Sequence, residues 1–107
     1  MSEASRQIIV RPTAASEMDA AFGWYENQRQ GLGSEYLRAV DAAFAAIARQ
    51  PGLFRAVRGP IRRVLLRRFP YGVFFVEGPN TITVLAVVHV RRSPSHWPRS
   101  VSSREDR

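Results

Sequence analysis

The strongest constraint on this chain is a change of period. Between Met18 and Ile47 the apolar residues recur three and four positions apart, between Ile61 and Arg91 they alternate, and a Pro- and Gly-rich stretch at 51–60 divides the two regimes. A 3.6-residue period buries one stripe of a helix, and a two-residue period buries one face of a strand. The chain must therefore make helices first and a sheet second, and cover each with the other.

The segment Gln7 to Arg11, QIIVR, is short and β-branched and is closed by Pro12, which predicts an opening strand. Thr13 or Ser16, the latter with Asp19 three residues on, is the expected N-cap of a first helix whose buried stripe is Met18, Ala21, Phe22 and Tyr25. Gly31 in QGLG stops that helix. Ser34 is then the expected cap of a second, with Leu37, Val40, Phe44 and Ile47 inward until Pro51-Gly52 ends it. So short a connection makes the helices antiparallel. Three strands are expected after the 51–60 loop, at Ile61–Phe69, Gly72–Glu77 and Thr81–Arg91, with turns at Pro70-Tyr71 and Gly78-Pro79-Asn80. The expected fold is α+β: an N-terminal strand, an antiparallel two-helix hairpin and a three-stranded antiparallel meander, with the helices on one face of a mostly antiparallel sheet. One domain over 1–98 and a polar, disordered tail over 99–107 complete this expectation.

Composition narrows the chemistry. The 107 residues include no cysteine, so neither a disulfide framework nor a thiolate metal site is available, and His89 and His96 alone make a poor metal cluster. No metal and no cofactor are expected. The polar start MSEASRQ lacks the apolar core of a secretory signal, and no window approaches the roughly 20 apolar residues of a membrane span, which predicts a cytoplasmic protein without a membrane partner. All sixteen cationic residues are arginine, and the net charge is +7. Residues 1–50 carry five arginines against six acids, whereas residues 51–107 carry eleven against three. A one-sided surface of fixed positive charge points to nucleic acid, a nucleic-acid machine or an acidic protein. Arginine grips phosphate and carboxylate bidentately but does not serve as a general base.

Strand parity sorts the candidate residues. If Ile82, Val84, Ala86, Val88 and Val90 face the helices, then Thr83, Leu85, Val87, His89 and Arg91 face outward. In IRRVLLRRF at 61–69, Val64 and Leu66 inward leave Arg63, Leu65 and Arg67 outward on the face of His89 and Arg91. Arg62 and Arg68 become strand-end charges that pair with acids such as Glu77.

Three phrases, WYENQRQGLGSEYL at 24–37, IRRVLLRRFPYGVFFVE at 61–77 and ITVLAVVHVRRSPSHW at 82–97, closely resemble the RelE/ParE superfamily of toxins from bacterial type II toxin-antitoxin modules. The resemblance runs over roughly residues 7–98 and implies the fold expected above. It also implies a cognate antitoxin whose amphipathic, often acidic C-terminal segment wraps the toxin. The superfamily divides in its targets: RelE-like members cut mRNA in the ribosomal A site, and ParE-like members poison DNA gyrase through protein contacts. The RelE pattern places two lysines on alternate positions of the second strand, an arginine after the tyrosine of the third, an arginine ending the fourth, and a C-terminal aromatic. Those positions look like Arg63, Leu65, Gly72, Arg91 and Trp97 here, so two of the charges are missing.

RNA cleavage by the 2′-hydroxyl needs a proton acceptor, a charge clamp and an acid. As a nuclease the chain would use His89, with a reference pKa of about 6.5, as base and Arg63, Arg67 and Arg91 as the phosphate clamp. Arg67, Trp97 and Tyr71 are the expected target-binding residues. The thin supply of proton-transfer groups favours the ParE-like mode, a toxin that binds gyrase, over the ribosome-dependent endoribonuclease.

Overall fold

The computed structural model describes residues 6–91, so Trp97, His96 and the tail lie outside the described residues. Strand β1 (Gln7–Val10) leads into helix α1 (Pro12–Gln28) and helix α2 (Leu32–Arg49). A 3-10 turn at Pro51–Leu53 follows, then β2 (Ala56–Arg58), β3 (Ile61–Leu65), β4 (Tyr71–Glu77) and β5 (Thr81–His89). The sheet order is β1-β5-β4-β3-β2. Only the β1–β5 pair is parallel among these, with Gln7 opposite Thr81 and Val10 opposite Val84. Both helices cover one face, which gives the α+β arrangement expected from the period change.

The boundaries correct the sequence reading in several places. Pro12, expected only to close the strand, is the first helical residue of α1, since its fixed φ suits that position; Arg11 rather than Thr13 or Ser16 stands at the N-cap. Ser34 is not the cap of α2 either. Gly31 takes that place with φ 91°, and the Glu26 carboxylate reaches across from α1 to accept from Gly31 N and Gly33 N, both at 2.9 Å. One acid thus satisfies two of the free N–H groups that begin α2 and clasps the hairpin. Gly33 allows the helices to meet: a Cβ there would lie 2.7 Å from a Phe22 ring carbon and 2.8 Å from the Phe22 carbonyl oxygen.

The 51–60 loop hides β2, which at three residues, followed at once by Gly59 and Pro60, is too short to show a period. At the other end, β3 stops at Leu65 instead of running to Phe69. Leu66 N donates to Tyr71 O at 2.9 Å, Arg68 turns at φ 73°, and Phe69 folds back into the core, so Arg67 and Arg68 belong to a turn and strand parity does not apply to them. Tyr71, expected in the turn, is the first residue of β4 and is buried.

The core on the helix side is dominated by aromatic rings. Tyr36 is fully buried, stacked on Tyr25 at 5.4 Å and edge-on to Phe69 and Tyr71 at 5.6 and 5.2 Å. Val40, Ile47, Val73, Phe75, Ile82, Val84 and Val87 complete the layer. A smaller cluster of Ile61, Phe74, Leu85 and Ala86 occupies the opposite face.

Candidate functional site

One irregularity decides which side chains meet. Phe74 pairs with Ala86 but Phe75 pairs with Val84, which leaves Leu85 as an extra residue in β5. At such a bulge two residues of one strand oppose one of the other, and alternation breaks. Leu85 and Ala86 both face the open side, after which Val87 and His89 face the helices together with Ile82 and Val84. The expectation that Val88 and Val90 are core while Val87 and His89 look outward is therefore reversed beyond the bulge.

His89 is accordingly parted from Arg63. Its ring sits edge-on to Tyr71 at 5.2 Å, opposite it in the β4–β5 ladder, and its Nδ1 accepts from Arg91 N at 3.1 Å. In the neutral ring that bond places the proton on Nε2. His89 and Tyr71 help line a cavity of about 430 Å3 between α1 and the end of β5, with Glu17, Ala21, Trp24 and Val87. Glu17 Oε1 accepts from Val87 N at 2.9 Å; β1 pairs with β5 only as far as Val84, and the helix supplies this later acceptor instead. Trp24 is 52 % exposed beside the cavity.

The open face has a different character. Arg63 pairs with Phe74 across β3–β4, and Leu65 pairs with Gly72. A Cβ on Gly72 would lie 3.3 Å from Arg63 Cδ and 3.4 Å from Val90 Cγ1, so the stem of Arg63 lies over the position where the RelE pattern has an arginine. The departure at 72 is the room that Arg63 occupies. Leu65 is 54 % exposed, Arg67 is exposed in the following turn, and Arg91 is exposed after β5. Arg63 thus shares a face with Leu65, but the basic constellation with His89 is not assembled.

The remaining arginines of IRRVLLRRF serve the structure. Arg62 Nη1 donates to Phe54 O at 2.6 Å, and Arg68 Nη2 meets Glu35 Oε1 at 2.9 Å, while Glu77 pairs with Arg6 at 2.9 Å rather than with either. The hydrogen bond from Arg68, reinforced by the charges of Arg29, Arg68 and Arg38, holds the Glu35 carboxyl below its ordinary pKa against a weaker opposing effect of desolvation. Burial pushes the Tyr36 hydroxyl up, with the neighbouring Tyr71, Tyr25 and Glu17 adding to the effect. Sequence reasoning missed Glu17 and Glu26, whose partners are backbone N–H groups that no residue pattern advertises.

Among the described residues no group of His, Asp and Glu could hold a metal ion, and no helix is long and apolar enough to cross a membrane. What the open face offers among the described residues is the fixed positive charge of Arg63 and the exposed side chain of Leu65. In comparison with known proteins, a family model described as ParE toxin of type II toxin-antitoxin system, parDE, matches residues 8–94.

The chain belongs to the ParE toxin family. Its fold matches a solved chain titled "Chromosomal ParDE TA system from P. aeruginosa" with a TM-score of 0.70 at 13% identity, covering 79% of this chain and 96% of that one. At that identity the likeness is one of fold. No functionally curated protein matches the sequence. The match spans both β3 and β5, the strands that carry Arg63 and His89.

Proposed function

We propose that this ParE-family protein is the toxin of a two-component module, that it arrests growth by binding DNA gyrase, and that a cognate antitoxin neutralises it. The observation that carries a binding rather than a cleaving mode is the bulge at Leu85, which puts His89 on the opposite face from Arg63. A phosphodiester gripped by Arg63 would meet charge but no base, and charge alone does not complete transfer of the 2′-hydroxyl proton. In this reading Arg63, Arg67 and Arg91 contribute to binding partners, Tyr71 holds the core beneath β4, and His89 performs no proton transfer.

Inducing the protein in cells and following DNA and transcripts tests the proposal. Gyrase-linked DNA breaks with intact mRNA are expected, and the arrest should persist in His89→Ala. Transcripts cut within codons, with cutting lost in His89→Ala, would replace the proposal with the ribosome-dependent endoribonuclease.

A further inference from the structure

Helix α1 carries a second stripe, which shares only Ala21 with the stripe that packs in the core. Glu17, Ala20, Ala21 and Trp24 recur at i, i+3, i+4 and i+7, and all four line the cavity of about 430 Å3 beside the end of β5. The two alanines leave the room between Glu17 and Trp24. Tyr71, Val87 and His89 line the cavity from the sheet, where Tyr71 and His89 are partners across β4–β5. Trp24 is exposed, yet its ring is held perpendicular to that of Tyr25 with the centroids 5.1 Å apart. Glu17 Oε1 accepts from Val87 N, which fixes that carboxylate at the cavity wall. The local charge is negative in a chain of net charge +7, since α1 holds Glu17, Asp19 and Glu26 and no basic residue. His89 Nδ1 accepts from Arg91 N, and a ring nitrogen that accepts carries no proton, so the imidazole adds no positive charge.

We propose that this cavity binds a small organic amine, protonated at neutral pH and carrying a short apolar arm, whatever macromolecule the toxin acts on. An ammonium group is attracted by the ring faces of Trp24 and Tyr71 and by the Glu17 carboxylate, and the arm lies over Ala20, Ala21 and Val87. The volume falls within the roughly 300–1,000 Å3 of small-molecule sites, which are mostly apolar with a few convergent polar groups. An anion fits less well, because Glu17 repels it and no lysine or arginine lines the cavity among the described residues. A neutral apolar ligand would set the Glu17 carboxylate against hydrocarbon with nothing to balance its charge. Because the site joins α1 to β5, an amine seated there holds the two together, and occupancy raises the unfolding midpoint.

The test is to titrate the isotope-labelled full chain with phenethylamine and with phenethyl alcohol, its neutral counterpart, following the Val87 amide resonance, a probe that every variant retains. Saturable binding is expected, with the amine preferred by about tenfold. Glu17→Gln keeps an acceptor for Val87 N while removing the charge, so it should weaken the amine about tenfold and leave the alcohol within about twofold. Trp24→Leu should weaken the amine about fivefold, and Trp24→Phe, which keeps a ring, should lose less. Ala20→Leu, at an exposed helical position, should fill the cavity and abolish binding of both compounds. Asp41→Asn, an exposed acid on α2, should leave the amine within about twofold. Thermal melts report whether each variant is folded. The inference is overturned by an amine that does not saturate, by equal affinity for amine and alcohol, or by binding that survives Ala20→Leu. Amine affinity unchanged in both Glu17→Gln and Trp24→Leu, or reduced as much by Asp41→Asn as by Glu17→Gln, overturns it as well.

Discussion

The two faces of the sheet use their side chains in opposite ways. On the helix side nearly every group is spent internally: Tyr36, Val40, Ile47 and Phe75 are fully buried, Glu17 and Glu26 accept backbone N–H groups, and even His89 lies against Tyr71. On the open side and its β2–β3 margin, Arg63, Arg67 and Leu65 hold charge and apolar surface that no described residue neutralises or covers. Buried packing and uncommitted surface are thus segregated, and β5 packs on both faces because its bulge sends Val84 and Val87 one way and Leu85 and Ala86 the other.

Substitutions that compare the faces should separate those roles. Phe75→Ala on the helix side should cost about 3–5 kcal/mol in chemical denaturation, whereas Leu65→Ala on the open side should stay within about 0.5 kcal/mol. Similar losses at both positions would dissolve the distinction. Gly33→Ala should cost about 1–3 kcal/mol, since the added Cβ meets the Phe22 carbonyl, which moves only with the α1 backbone.

Smaller effects should follow the titrating groups. Tyr36 Oη is buried without a hydrogen-bond partner among the described residues, so Tyr36→Phe should lie within about 1 kcal/mol of the parent at neutral pH. At alkaline pH the variant should diverge. The folded chain keeps the raised hydroxyl protonated while the unfolded one ionises from pH 10 upward, so stability falls above pH 10 and Tyr36→Phe removes that part of the loss. Glu35 gives the opposite sign. Its lowered carboxyl pKa supports the fold above the ordinary value of 4.5, and this support disappears as the pH falls through the lower folded value. Glu35→Gln should flatten that acid limb by the least of these amounts, because Arg68, its closest partner, is largely exposed. Unfolding midpoints measured across pH check both substitutions.

The sequence makes the scaffold legible because burial imposes long periodic signals. The stripe through Leu37, Val40, Phe44 and Ile47 and the alternation of Val73 and Phe75 each repeat over several turns or residues, and the helix-side core follows them. The candidate site is harder to read because parity is a cumulative count, and one unannounced residue reverses everything after it. Leu85 is as ordinary a strand residue as Leu66, yet it moved His89 from one face to the other. Arg67 and Arg68 escaped for a related reason: Leu66 and Phe69 continue the apolar pattern although the backbone has already turned. Arg63 was placed on the open face correctly because the strand is regular from Ile61 to Leu65.

The parallel pairing of β1 with β5 joins the first described strand to the last. During synthesis the Glu26 clasp and the α1–α2 hairpin involve neighbours and form early, but Gln7 waits for Thr81 to emerge. A chain halted before β5 lacks the strand that joins β1 to β4 and the one against which α1 packs. Among the described residues, the sheet therefore closes only when β5 has left the ribosome.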